Sequence, residues 1–264
     1  MPESSLYLLR YDSGHRDQRM GAGPDRIRRE LGVAGEEIEP ELPWRSEIST
    51  SFQLYRQLAK RIAATPETLP IVLAGNCGAS IGTAAGVGVD DLGVIWFDAH
   101  GDFNTPETSL SGYLDGMCLS VLTGRCFVPL AATIPGFAPI PFENTVHVGG
   151  HALDQSETKD FHRLDVARIP AGGDVRPVLE SIAARTSRIL VHVDLDVLDV
   201  QYGRANQYAC SGGLSPAEVE NALIACTELF DVAAIVLASY DPSYDDGRVA
   251  AAAARFVEIV QRNR

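Results

Sequence analysis

The chain has 264 residues, 45% of them apolar and 22% charged, the balance of a globular protein with a full core. Its formal net charge of −13 at pH 7 argues against nucleic acid or an anionic membrane as partner, since both select a basic face. Five cysteines (Cys77, Cys118, Cys126, Cys210 and Cys226) are odd in number, uneven in spacing and without a CxxC, which excludes a disulfide framework and a structural zinc pattern.

The N-terminal stretch Met1-Pro2-Glu3-Ser4-Ser5-Leu6 has no basic segment followed by an apolar one, so no signal peptide is expected. No window reaches eighteen uninterrupted apolar residues, so no membrane span is expected and the compartment is read as the cytoplasm. Leu6–Leu9 is a short apolar strand, and Pro24 opens a helix through Leu31. Residues 37–42 read as an edge strand, and Ser49-Thr50-Ser51 as the cap of a helix to about Ala64 with Phe52, Leu54, Tyr55, Leu58 and Ile62 on its apolar face. Strands follow at residues 70–74 and 93–97, with a small-residue helix at 79–86 between them. A long polar loop then runs to Gly116, a length that favours function over idle connection. Beyond it come a helix at 117–123, strands at 145–149 and 166–169, a helix at 175–185 and a strand at 189–193. Ser215-Pro216-Ala217-Glu218 caps a helix to about Leu229, followed by a strand at 233–238 and a closing helix at 249–262. This alternation without a composition break predicts a single α/β domain over residues 1–264, with a mainly parallel sheet of about eight strands between helical layers.

Two strand ends carry unusual chemistry. The run Gly93-Val94-Ile95-Trp96-Phe97 ends in Asp98-Ala99-His100-Gly101-Asp102, and the strand at 189–193 ends in Asp194-Leu195-Asp196-Val197-Leu198-Asp199. In a parallel sheet the loops at the carboxyl ends of strands build the site, so these side chains are delivered to one rim. Either motif alone would serve equally well to cap a following helix. Together, carboxylates and an imidazole without clustered thiols suit Mn²⁺ or another hard-to-borderline divalent ion, and two ions can share a bridging carboxylate.

On these motifs the chain resembles the ureohydrolase family of arginases, agmatinases and formimidoylglutamases, from Gly23-Pro24 through Pro242-Ser243-Tyr244-Asp245. The resemblance implies a three-layer α/β/α fold, two Mn²⁺ ions, and attack of a metal-bridging hydroxide on the carbon of a small guanidino or amidine substrate. It also implies a homo-oligomer, trimeric or hexameric. Carried over by position, Asp98 and Asp194 would bridge both ions, and Asp102 would bind the first ion and accept a proton from the nucleophile. His100 and Asp196 would hold the second ion. Asn104 and Ser111 fall where arginases bind the substrate carboxylate, and Asp154 where they contact its ammonium; Asn104 and Ser111 read equally as turn residues.

Three positions depart from the family pattern. Ala74-Gly75-Asn76-Cys77-Gly78 places Cys77 where the first ion's histidine should stand, and a thiol is shorter and softer than Mn²⁺ prefers. A similar exchange, together with Asp102-Phe103-Asn104-Thr105-Pro106-Glu107-Thr108, resembles Nω-hydroxy-L-arginine hydrolases. Cys77 also reads as a small buried apolar side chain. Asp115 stands where arginases have a proton-shuttling histidine, and it could serve only with a raised pKa. Ser239 stands where a glutamate would pair with the guanidinium, and losing that ion pair favours a less basic substrate or inactivity. His147 and His192 read as core histidines, His151 as able to approach substrate, and His15 and His162 as surface residues. The remaining cysteines read as packing residues. The leading expectation is a manganese-dependent hydrolase of an arginine-like substrate such as Nω-hydroxy-L-arginine. The alternatives are a degenerate member acting as a binding or structural protein, or a hydrolase of another amidine or amide.

Overall fold

The computed structural model describes residues 3–263; Met1 and Pro2, part of the stretch read for a signal peptide, and Arg264 lie outside them. The first third holds β1 (Ser4–Leu9), a small antiparallel pair β2 (Tyr11–Asp12) and β3 (His15–Arg16), α1 (Gly23–Leu31), β4 (Glu36–Glu37), α2 (Glu47–Ala63), β5 (Leu69–Ala74), α3 (Ala79–Val87) and β6 (Leu92–Asp98). After the long loop come α4 (Cys118–Leu122), α5 (Val128–Ala131), β7 (Thr145–Gly149), α6 (Gln155–Arg163), β8 (Ala167–Ile169) and α7 (Arg176–Ala183). The chain then adds β9 (Arg188–Asp194), α8 (Pro216–Leu229), β10 (Asp231–Ala238) and α9 (Arg248–Asn263).

Eight strands form one parallel sheet in the order β4-β1-β5-β10-β9-β6-β7-β8. Its central members are apolar on both faces, because helices cover both. On β6, Val94 and Trp96 point into the layer built by α2, α3 and α4, while Ile95 and Phe97 point into the layer built by α1, α7, α8 and α9. The result is the three-layer α/β/α sandwich expected from the alternation of elements. Burying Val, Leu, Ile and Phe side chains contributes about 1.5–3 kcal/mol each, so the two layers hold the strand ends rigidly.

Most elements lie where the apolar pattern placed them, and Ser215 caps α8 in a complete capping box with Glu218. Four differences stand out. The edge strand expected at 37–42 stops at Glu37, since Pro40 and Pro43 remove backbone donors. Helix α2 starts at Glu47, with Ser46 rather than Ser49 as its cap, because several serines offered the same chemistry. Helix α6 was not anticipated: it buries little beyond Glu157 and Phe161, so its apolar period is weak, although Asp154 and Glu157 form a capping box. The helix expected at 117–123 is a 3₁₀ turn at Asp115–Met117 followed by α4.

The connections leave the adjacent strands β9 and β6 in opposite directions, β9 towards β10 and β6 towards β7, and ligands bind at such a switch point in parallel sheets. The turn after β5 needs close backbone approach: a Cβ on Gly75 would meet Tyr11 O at 2.2 Å and Gly21 Cα at 2.9 Å. Gly75→Ala should therefore push this corner apart and lower stability by about 1–3 kcal/mol, read as a lower denaturation midpoint in urea.

Candidate metal centre

The ends of β5, β6, β9 and β10 converge on a pocket of about 270 Å³ whose lining includes Cys77, His100, Asp102, Asp115, Asp194, Asp196 and Ser239. Register explains part of this convergence. Phe97 on β6 pairs with Val193 on β9, and the next residue on each strand is a carboxylate, Asp98 and Asp194.

Two groups of side chains have ligand atoms close enough to share an ion. Cys77, Asp98 and Asp102 form one, and Asp98, His100 and Asp196 form the other, with atoms within 4.8 Å of one another in each. Asp98 belongs to both. Its Oδ1 accepts from the His100 amide at 2.8 Å and its Oδ2 from the Trp96 indole at 3.1 Å. His100 Nδ1 lies 3.5 Å from Asp98 Oδ1 and 3.4 Å from Asp196 Oδ2. Asp194 is not in either group but joins them: its Oδ2 accepts from Cys77 Sγ at 3.1 Å and its Oδ1 from the Asp196 amide at 2.9 Å.

The electrostatics are those of stored negative charge. Burial raises the pKa of Asp102 and Asp194 well above the usual carboxylate range, and neighbouring carboxylates raise both further. Burial also raises Asp98, against the opposing contact of His100. Burial alone would lower His100, but the Asp98 bond and the charges of Asp196 and Asp98 outweigh it and lift the imidazole to about 10. Asp102 Oδ2 is buried without a partner, and no lysine or arginine is among the lining residues. A buried carboxylate oxygen with nothing to accept from is costly unless a cation completes it. The donor set of carboxylates and one imidazole fits hard-to-borderline divalent ions.

Cys77 faces this cluster. Its Sγ also lies 3.2 Å from Ser239 Oγ, and burial followed by the charges of Asp115 and Asp194 pushes the thiol pKa well up. Ser239 is buried at the end of β10 with φ +63°, a left-handed conformation uncommon outside glycine, and Asp102 shares that region at φ +49°. Strain at two pocket residues is typical of positions over-determined by their surroundings. For Ser239 the determinant is Asn206, whose Nδ2 donates to Ser239 O at 2.7 Å and lies 3.2 Å from Asp196 Oδ2.

Asp115 is held on both oxygens. Asn76 Nδ2 donates to Oδ2 at 2.8 Å, and the Cys77 amide and the Cys118 thiol donate to Oδ1 at 2.8 and 3.4 Å. Burial, opposed by the Asn76 bond, raises its pKa to about 7. Cys118 thus has a polar role beyond the packing expected of it.

The three residues expected at the substrate's polar end sit at the pocket wall. Asn104 Nδ2 donates to Asp154 Oδ2 at 2.8 Å while its Oδ1 accepts from Thr108 Oγ1 at 2.8 Å. Asp154 Oδ1 caps α6 by accepting from Glu157 N at 2.8 Å. Ser111 is exposed and accepts from the Tyr113 amide at 3.2 Å. His147 and His192 are buried as expected, and His15 and His162 are exposed. His151 lies beside Gly212, outside the lining residues.

Several residues at the site escaped the sequence reading. Glu157 accepts from Phe103 N and Asp154 N at 3.2 and 3.1 Å, joining α6 to the ligand loop, and lines the pocket. Tyr113 donates from its hydroxyl to buried Asp12 at 3.2 Å and receives Asn76 Nδ2 at 3.2 Å. Asn206 and Tyr208 come from a polar loop with no periodicity to mark them. Among these, only the capping spacing of Asp154 and Glu157 left a readable trace.

Comparison with known proteins identifies the family and the fold. A model of the arginase family matches residues 10–260. The chain is 35% identical over 184 residues to an arginase of Bacillus subtilis (strain 168), covering 65% of this chain and 60% of that protein. It is 32% identical over 169 residues to an N(omega)-hydroxy-L-arginine amidinohydrolase of Streptomyces lavendulae, covering 61% of this chain and 59% of that one. The sequence matches thus span about 60% of these curated relatives. The solved structure of the Bacillus caldovelox arginase superposes with a TM-score of 0.87 at 25% identity, covering 98% of each chain. A formimidoylglutamase of Bacillus subtilis shares the fold, with a TM-score of 0.80 at 18% identity, covering 100% of this chain and 87% of the other. The chain belongs to the arginase family.

Proposed function

We propose that this chain is a metal-dependent hydrolase of a C–N bond in a small guanidino or amidine substrate, working as a single α/β domain. The observation that carries the reading is Asp98, one buried carboxylate shared by two three-residue ligand groups beside an open pocket. Cys77, Asp98, Asp102 and Asp194 would hold one ion and Asp98, His100, Asp194 and Asp196 the other, with Mn²⁺ suited to the donor set. Bound divalent ions would supply Lewis acidity and lower the pKa of water at the site.

The chain's own groups then have distinct tasks. Asp102, with Oδ2 buried and unpartnered, takes up the proton released as the nucleophile forms. Asp115, raised to about 7, carries a proton in about half of the molecules at neutral pH and gives it to the leaving amine, regaining one from solvent as Asp102 releases its own. Asn76 and the Cys77 amide fix its orientation. Asn104, Ser111 and Asp154 stand at the pocket wall for the polar end of an amino-acid substrate, and of these three Ser111 is the exposed one.

Ser239 narrows the substrate. A hydroxyl beside Cys77 cannot replace a bidentate carboxylate–guanidinium pair, so a less basic hydroxyguanidine fits better than arginine itself. The relative named for Nω-hydroxy-L-arginine supports the same choice. A second reading, a family member that keeps one ion and serves as a binding protein, is favoured by the thiol that burial holds protonated against Asp194.

Incubation with Mn²⁺ should load two ions per chain by elemental analysis and give ornithine from Nω-hydroxy-L-arginine. At most one ion, with no hydrolysis of any guanidino compound, would select the binding protein instead. Ser239→Glu should raise turnover of plain arginine at least tenfold relative to hydroxyarginine, measured as the ratio of kcat/KM values; about 1.4 kcal/mol corresponds to that factor. Asp102→Asn replaces a carboxyl that stays buried in the metal-free fold only by taking up a proton with an amide that needs none. In chelator-treated protein it should therefore raise the melting temperature, by about 2–4 °C for each kcal/mol gained. With Mn²⁺ present the order should reverse, the wild type gaining more.

A further inference from the structure

Two residues upstream of the ligands, the sheet carries a row of three aromatic rings. His147 on β7, Trp96 on β6 and His192 on β9 are direct register partners across the central strands. All three are buried, and Trp96 stacks on His192 with ring centroids 3.7 Å apart. A strand places residues i and i+2 on the same face, so the row lies directly beneath Asp98 and Asp194.

Two members of the row reach up to the ligand loop. The Trp96 indole N–H, which can only donate, lies 3.1 Å from Asp98 Oδ2, while the His100 amide holds Asp98 Oδ1 at 2.8 Å. Each carboxylate oxygen therefore accepts one fixed N–H, which sets the rotation of the group and leaves further acceptor capacity on both oxygens. His147 Nε2 lies 2.6 Å from His100 O. A carbonyl oxygen only accepts, so Nε2 carries the proton and Nδ1 is the bare nitrogen. That bond fixes the peptide from which the His100 ring projects. His147 is held in turn against Phe161, at 5.0 Å between ring centroids.

We propose that Trp96 and His147 are positioning residues of the metal centre, aiming the shared ligand Asp98 and the ring-bearing His100 through one hydrogen bond each. This rests on the reading of Asp98 and His100 as ligands. Neither residue touches substrate; they act by orienting donors before an ion arrives. Second-layer hydrogen bonds of this kind change metal affinity by about ten- to a hundredfold when removed.

The test is Mn²⁺ titration of the full chain by calorimetry. Trp96 is replaced by its benzothiophene analogue, which keeps ring volume and stacking but lacks the N–H, and a second variant is His147→Phe. Both should bind Mn²⁺ about ten- to a hundredfold more weakly than the parent, with an unchanged circular dichroism spectrum. Trp44→Phe, at the half-exposed tryptophan stacked on His15, should bind as the parent does. In that background Trp96 is the one remaining tryptophan, and its fluorescence should fall on Mn²⁺ addition. Parent-like affinity in either hydrogen-bond variant removes that residue from the proposal, and an unchanged fluorescence removes Trp96. Asp98→Ala separates the two ideas: if it leaves Mn²⁺ uptake intact, the ligand reading itself fails.

Discussion

The structure depends on holding several carboxylates together in a place that water barely reaches. Asp98, Asp102, Asp194 and Asp196 are all nearly inaccessible, and none faces a lysine or arginine at the pocket. Left to themselves, such groups repel one another and pay for burial by taking up protons, as the raised pKa values of Asp98, Asp102 and Asp194 record. The protein tolerates this arrangement because the two apolar layers clamp the strand ends and because backbone amides satisfy part of Asp98, Asp194 and Asp196. What remains unsatisfied is a demand for positive charge. His100 meets it in part, and on the proposed function divalent ions would meet the rest.

That demand explains why residues of so many kinds serve the site without being ligands. Asn206 ties Asp196 to the strained carbonyl of Ser239, and Glu157 ties the loop after Asp102 to α6. Asn76 links Asp115 to Tyr113, which is anchored on Asp12 and through it on Arg19. These neutral amides and hydroxyls donate to carboxylates without cancelling their charge. A lysine or arginine in the same places would form a closed ion pair and remove the attraction for a metal. The negative net charge of the whole chain has a small, sharply localised component at these strand ends.

The replacement of an expected histidine by Cys77 changes the balance on one side only. The group containing His100 keeps an imidazole, a donor such ions accept readily, although it must give up the proton that Asp98 and Asp196 favour on it. The group containing Cys77 must lose a proton that burial and four nearby carboxylates hold in place. On the proposed assignment an ion at that position would have to supply the energy of that deprotonation, which would leave the two positions unequal in affinity. With Ser239 beside the thiol, the same corner has also lost the negative charge that would face a guanidinium, which ties metal asymmetry and substrate choice to one spot in the fold.

The central strands, the capped helix α8 and the two acidic motifs were readable from the chain because each depends on local signals: continuous apolar runs, a Ser-Pro-x-Glu start, and Asp and His at alternate positions. The three-layer architecture followed from the alternation of those elements. The edge at 37–42 was misjudged and α6 was missed, since prolines and weak amphipathicity make such segments depend on their surroundings. Which residues meet was a matter for tertiary structure alone. The link from Cys77 to Asp194, the bond from Asn76 to Asp115, and the row of Trp96, His147 and His192 join residues between 39 and 117 positions apart. Sequence determines what each strand end can offer, because that is set by residue chemistry and period. Strand order and register decide which offers coincide, because contacts between distant segments exist only once the sheet has closed around them.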